Sequence, residues 1–318
     1  MAYRTVISGL TSSGLILICI FFCSFQPVQG KTKSKEKKVI KFGIISDVHD
    51  DTTRIRAFIE KAKKEKLDFI IQLGDLSNGK MTSNRNMLTI WNSYPRTKYH
   101  VLGNHELDYA TKAEIIQRQE MPGAHYSFDC GAYHFIVVDC NFIRKEGKFI
   151  DFGNANYYIA KESRDLIYPE QVAWLKEDIQ KTDKPIIIFS HQTFDDMTIR
   201  GSGPVPNRSE IRKLIEEINS IPAAKRKVIA CFAGHDHLDH YNQIDGVHYF
   251  AVNSALGFKS GLEIKDALFG FVTLNEKKHT ISIQGVQSEF KKTPTDKDYG
   301  HYPKDLIYPF IRNRIIHY

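Results

Sequence analysis

Cysteine is scarce in this 318-residue chain. There are five, and two of them, Cys19 and Cys23, sit in an apolar stretch near the start. The other three, Cys130, Cys140 and Cys231, are odd in number and include no Cys-x-x-Cys pair, so a disulfide framework is not indicated. Cys130 and Cys140 could meet across a hairpin, but small buried apolar side chains are the simpler reading. No internal repeat is visible. One run, residues 10–25, comes near the lower length limit for a membrane span, and its apolar centre at residues 15–22 is too short to cross comfortably. No one sign of charge dominates strongly. The formal net charge of +7 is partly concentrated at residues 31–38 and is a weak argument for anionic partners. With 42% hydrophobic and 25% charged residues, the composition is ordinary globular, and the length fits one large domain or two small ones.

The start of the chain reads as an export signal. Arg4 supplies a positive start, the apolar run follows, and Val28-Gln29-Gly30 has the small residues of a cleavage site. Residues 1–30 are therefore set aside from the fold, and residues 31–38 are read as a solvated basic linker. The expected location is exported: periplasmic, extracellular or membrane-anchored. Cleavage after Gly30 and a retained anchor both stay open. A lipid anchor on Cys23 is the weaker branch, because Phe21 and Phe22 stand where a lipidation site has small residues.

From Val39 the chain alternates strands and helices. Residues 39–46, 69–73, 99–102, 185–190 and 228–233 are strands rich in uninterrupted apolar residues, as in a sheet covered on both faces. Ile55, Phe58, Ile59 and Ala62 mark one face of a helix, and residues 81–91 mark a second. Residues 125–129 and 133–139 read as a hairpin around Gly131. Residues 141–168 lack periodicity and read as a long functional loop. Pro169 opens a helix carrying Val172, Leu175 and Ile179. Asn207 with Glu210 reads as a capping box for a helix reaching Ile218. It is a simpler account of Asn207-Arg208-Ser209 than a glycosylation acceptor. Residues 247–252, 269–274 and 279–284 are shorter strands, and residues 290–318 read as a tail packed on the surface of a domain spanning 39–289. This order predicts an α/β fold in which two sheets pack together with helices outside, an α/β/β/α sandwich.

Five short blocks place metal-binding side chains just after buried strands. They are Asp47 and His49, then Asp75, then Asn104 and His105, then His191, then His235 and His237. Strand carboxyl ends converge on one edge of such a sheet, where ligands bind. Gly74, Gly103 and Gly234 fit tight turns there. Asp47, His49, Asp75, Asn104, His191, His235 and His237 make seven donors, too many for one ion and about right for two that share a carboxylate. Nitrogen and oxygen donors without thiolate suit Mn, Fe or Zn.

Asp-x-His, Gly-Asp, Gly-Asn-His-Glu, a strand-end His and Gly-His-x-His, in this order, resemble the signature blocks of calcineurin-like metallophosphoesterases. The resemblance spans Asp47 to His237 and implies a metallo-dependent phosphatase-like fold with two divalent ions. It implies that Asp47, His49 and His237 hold one ion, that Asn104, His191 and His235 hold the other, and that Asp75 bridges them. It implies that His105 faces the substrate as general acid or transition-state stabiliser, while a hydroxide between the ions attacks phosphorus. Purple acid phosphatases carry Tyr three residues after the bridging Asp. Here that position is Asn78, which excludes the purple branch. Tyr168-Pro169-Glu170-Gln171 before Trp174-Leu175, Ser190-His191-Gln192 and Gly246-Val247-His248-Tyr249 are similar to the manganese-dependent ADP-ribose/CDP-alcohol diphosphatase group.

The expected activity is therefore hydrolysis of a phosphodiester, nucleotide diphosphate or phosphomonoester. The expected partner is a small phosphorylated substrate and not a specific nucleic acid, with a membrane tether left open. Two other readings stand beside it. One is a metal-binding protein on the same fold without catalysis, and the other is an envelope protein that binds polyanions. Glu106 reads as a cap or an orienting group. Tyr157, Tyr158 and Phe194 line the substrate pocket or pack locally. His100, His125, His134, His240, His248, His279, His301 and His317 read as ordinary polar residues.

Overall fold

The computed structural model describes residues 37–197, 199–200, 203–222, 227–258 and 261–318. The expected export segment, residues 1–30, lies outside them, as does most of the basic linker. Lys37 and Lys38 lie inside and belong to the fold. Lys37 pairs with Asp68, Lys38 pairs with Glu276, and the Lys37 carbonyl accepts from Ala132 N.

In chain order the elements are β1 (Val39–Ile45), α1 (Thr52–Lys64), β2 (Phe69–Gln72), α2 (Met81–Trp91), β3 (Lys98–His100) and α3 (Lys112–Arg118). Then come β4 (Tyr126–Cys130), β5 (Tyr133–Val137), β6 (Phe142–Lys145), β7 (Lys148–Asp151), α4 (Pro169–Gln180), β8 (Ile186–Phe189), α5 (Arg208–Asn219) and β9 (Val228–Ala233). The last strands are β10 (His240–Ile244), β11 (Val247–Ala251), β12 (Gly270–Asn275), β13 (Thr280–Gly285) and β14 (Arg314–His317). One sheet runs β14-β13-β12-β1-β2-β3, the other β10-β11-β9-β8-β5-β4. The strands that carry the five blocks are parallel within each sheet: β1 with β2, β2 with β3, and β8 with β9. Their carboxyl ends therefore open on the same edge of each sheet.

The two sheets meet through aromatic side chains. Phe42 of β1 stacks on Phe69 of β2 and presents its ring to the edges of Phe135, Phe189 and Phe232 from the other sheet, at centroid distances of 5.7–6.1 Å. Outside, α1 buries Ile55, Phe58, Ile59 and Ala62 against the first sheet. The Asp51 carboxylate starts this helix by accepting from Thr53 N and Arg54 N, both at 2.9 Å. On the far side α4 and α5 bury Leu175, Ile179, Ile211 and Ile215 against the second sheet. This is the expected α/β/β/α order.

Three local expectations change. Residues 141–168 are not one loop, because β6 and β7 form a hairpin within them. Asn207 does not cap α5, because its side chain accepts from Ile167 N and donates to Ile167 O, tying this segment to the helix start. Residues 290–318 do not end as a surface tail. β14 extends the first sheet along β13, and the Tyr318 hydroxyl meets that of Tyr133 in the other sheet at 2.7 Å. A capping box is present at α3 instead, where Thr111 and Glu114 exchange bonds. The three cysteines are unpaired: Cys140 and Cys231 are buried and Cys130 is half-buried.

The Phe42 ring meets rings on four other strands, β2, β5, β8 and β9, so Phe42→Ala is expected to cost about 3–5 kcal/mol. Urea denaturation of the purified variant measures this.

Candidate metal centre

Each block takes its place through backbone bonds between loops. Asp47 N donates to Gly74 O, His49 N to Asp75 O, and Gly234 N to His191 O, at 2.9–3.0 Å. The loops after β1 and β2 are thus bonded to each other, as are those after β8 and β9. Five of the site residues, Asp47, His49, Asp75, His235 and His237, have left-handed backbones with φ between 48° and 65°. A non-glycine residue held in that region costs roughly 1–3 kcal/mol, so the surrounding bonds must over-determine these turns.

The two aspartates are aimed. Asp47 Oδ2 accepts from His235 N, leaving Oδ1 buried without a hydrogen bond and 3.2 Å from His237 Nε2. Asp75 Oδ1 accepts from His105 N, leaving Oδ2 3.2 Å from His191 Nε2 and 4.0 Å from both His49 Nε2 and His105 Nε2. The imidazoles close the pattern. His49 Nε2 lies 3.1 Å from His237 Nε2, and His191 Nε2 lies 3.2 Å from both His235 Nδ1 and Asn104 Oδ1. His191 Nδ1 donates to Leu73 O at 2.7 Å, which leaves Nε2 as the nitrogen that faces the cluster. All eight residues singled out in the sequence come together. They form the groups Asp47–His49–His237, His49–Asp75–His105 and Asp75–His191–His235, with Asn104 beside the last. Ligands around one ion at bonds of about 2.1 Å stand roughly 3.0–3.4 Å apart. These spacings and the orphaned Asp47 Oδ1 fit two ions that share Asp75.

The electrostatics call for positive charge. Burial acts to raise the Asp47 carboxyl, but the His237 and His191 charges outweigh it and hold it well below the usual carboxylate range. Burial likewise opposes the Asp75 charge, and His191, His105 and His49 overcome it. Burial disfavours a charged His191, yet Asp75 pushes it up to about 10. The half-buried His235 beside it is pushed down to about 3 by loss of solvent around its ring and by the His191 charge.

Residues beyond the eight support the centre. Glu106 is fully buried, and its carboxylate accepts from the amides of Asp75, Leu76, Ser77 and Gly103 at 2.5–3.2 Å, joining the turns after β2 and β3. It is an orienting group. Asp108 was not read from the sequence. It accepts from His105 Nδ1 at 2.8 Å, and its other oxygen takes the hydroxyls of Tyr157 and Tyr158. The spacing of three residues, which puts His105 and Asp108 on one side of a helical turn, was the available signal. Asn104 Nδ2 donates to the Tyr157 hydroxyl at 3.2 Å, orienting the amide so that its oxygen faces His191. Asn78 points away, its oxygen accepting from Lys80 N and Ser83 Oγ at the start of α2. Of the glycines, Gly74 has a positive φ of 97°. Gly103 is required for a different reason: a Cβ there would overlap Asp75 N and Oδ1. His100, His134 and His248 are engaged elsewhere, with Gln72, with Asp129 and Asp178, and with Tyr241.

Strand-end loops of a two-sheet sandwich that gather these donors define a metal-dependent phosphoric ester hydrolase. The chain belongs to the calcineurin-like phosphoesterase family, whose profile matches residues 40–239. It is similar to a manganese-dependent ADP-ribose/CDP-alcohol diphosphatase of Oryza sativa subsp. japonica, at 21% identity over 70% of this chain and 85% of that one. Its fold is similar to that of a dimetal phosphatase from Danio rerio (TM-score 0.62, 16% identity, 79% of this chain, 98% of the other). It is also similar to GAP50, the anchor in the inner membrane complex of Plasmodium (TM-score 0.54, 15% identity, 84% and 96%).

Glu106→Gln places an amide NH2 among four amide donors. It is expected to destabilise the metal-free protein by about 1–3 kcal/mol, measured by chemical denaturation in the presence of a chelator.

Proposed function

We propose that the chain hydrolyses a phosphodiester or nucleotide diphosphate, with a phosphomonoester as the remaining substrate class, using two divalent ions, Mn, Fe or Zn. The observation that carries this reading is the sharing of Asp75 between two donor groups less than 4.8 Å across. Asp47, His49 and His237 hold one ion, Asn104, His191 and His235 the other, and Asp75 both. When bound, such a pair supplies Lewis acidity at the phosphoryl oxygens and activates the attacking water at neutral pH.

The chain's own groups do the rest. Asn104 is a neutral donor, which limits negative charge where an anionic substrate must sit. His105 is more open than His49, His191 or His237, with 37% of its side chain exposed against 23% for His49, which suits it to meet a leaving group. Asp108 holds its Nδ1, turning Nε2 toward the cluster, as a general acid requires. In the metal-free chain burial opposes its charge, but Asp75 and Asp108 push it up to about 9, favouring the protonated form that a general acid needs. Tyr157 and Tyr158 fix Asp108 in turn. The apolar run and small-residue site at the start of the chain support export with cleavage after Gly30, which mass spectrometry of the mature protein checks.

Turnover of a chromogenic diester and monoester, with and without added manganese, tests the reading. Asp75→Asn is expected to abolish hydrolysis of both. His105→Asn is expected to lower kcat by roughly 10²–10⁴ with both ions still bound. Full activity in a metal-free sample, or in Asp75→Asn, overturns the assignment.

A further inference from the structure

The strand carrying Arg314 reaches back to the metal loop. Asp239 follows His237 by two residues and is almost fully buried. Its carboxylate accepts from Arg312 N at 3.1 Å, Arg312 Nε at 3.0 Å, and Nη1 and Nη2 of Arg314 at 2.8 Å, while Arg312 Nη2 donates to the Asp239 carbonyl at 2.8 Å. A buried carboxylate needs such partners to remain charged. Leu238, between His237 and Asp239, is fully buried in an apolar cluster with Phe258, Leu262 and Ile307. The segment from Ile307 to Arg314 therefore grips both residues that follow His237, one by apolar contact and one by charge. It is itself anchored: Gln287 Nε2 donates to Ile311 O, and Gly285 N donates to Asn313 Oδ1. This segment lies beyond the residues that match the family profile, which stop at Asp239.

We propose that Arg312 and Arg314 are positioning residues for the metal centre. They clasp Asp239, hold His237 in its left-handed turn (φ 52°), and so set the affinity of the position formed by Asp47, His49 and His237. The other position does not depend on the clasp in this way. His191 is held by Leu73 O, and the His235 amide is held by Asp47. The inference rests on the two-metal reading above.

Titration calorimetry with manganese on the full chain tests it, together with thermal unfolding of the metal-free protein. Tyr318→Phe serves as a control that weakens the far end of β14 without touching the clasp. Wild type is expected to bind two ions. In Arg314→Gln one of the two affinities should fall by about tenfold to a hundredfold, the other by less than about threefold, and excess manganese should restore turnover. Tyr318→Phe should lower the melting temperature with both affinities unchanged. If Arg314→Gln fails to fold, Arg312→Gln, on a more exposed side chain, is expected to show the same one-site loss to a smaller degree. Unchanged manganese affinities in every folded arginine variant overturn the clasp and leave the two-metal centre standing. Equal weakening at both positions also overturns it. Wild type that binds no manganese, iron or zinc overturns both readings.

Discussion

Asp47 and Asp75 are carboxylates taken almost wholly out of water, and the architecture around them follows from that. Such a charge is stable only where donors or positive charge replace the lost solvent. Each uses one oxygen to accept a backbone amide from the next ligand loop, His235 N for Asp47 and His105 N for Asp75. Each leaves the other oxygen to the cluster. The same side chain thus offers one oxygen to the cluster and uses the other to fix where a neighbouring loop stands. The remaining demand for positive charge falls on the imidazoles, which explains why His191 is pushed toward protonation in the protein alone.

This arrangement couples the site to the whole fold. Asp47, His49, Asp75 and Asn104 come from the sheet containing β1, β2 and β3, whereas His191, His235 and His237 come from the sheet containing β8 and β9. The centre exists only if the sheets keep their relative position, and the aromatic contacts of Phe42 with Phe135, Phe189 and Phe232 hold them there. At the rim, Glu106 ties two turns by four amides, and the left-handed backbones let short loops turn their side chains inward. Strain at these turns is offset by packing far from the chemistry.

The strands, the outer helices and the eight clustered residues were legible because their signals are local. Apolar runs mark β1, β2, β8 and β9, and the polar blocks follow them directly. What stayed hidden depends on partners distant in sequence. Asn207 has the residue type of a cap, yet Ile167, forty residues earlier, claims its side chain. β14 has only two apolar residues in four and becomes a strand because β13 offers an open edge. The hairpin of β6 and β7 is too short and too charged to show a period. Asp108 gains its meaning only when Tyr157 and Tyr158 come to it, and the left-handed φ values leave only a faint trace, in the Asp and His types that enter that region more readily than most.

The central claim is that one buried carboxylate, Asp75, joins two metal positions into a single centre. Electron paramagnetic resonance of the chain loaded with manganese, read beside elemental analysis, addresses this directly. The account predicts two manganese ions per chain and the spectrum of an exchange-coupled pair. One ion per chain, or two ions giving only the six-line spectrum of isolated manganese, contradicts it.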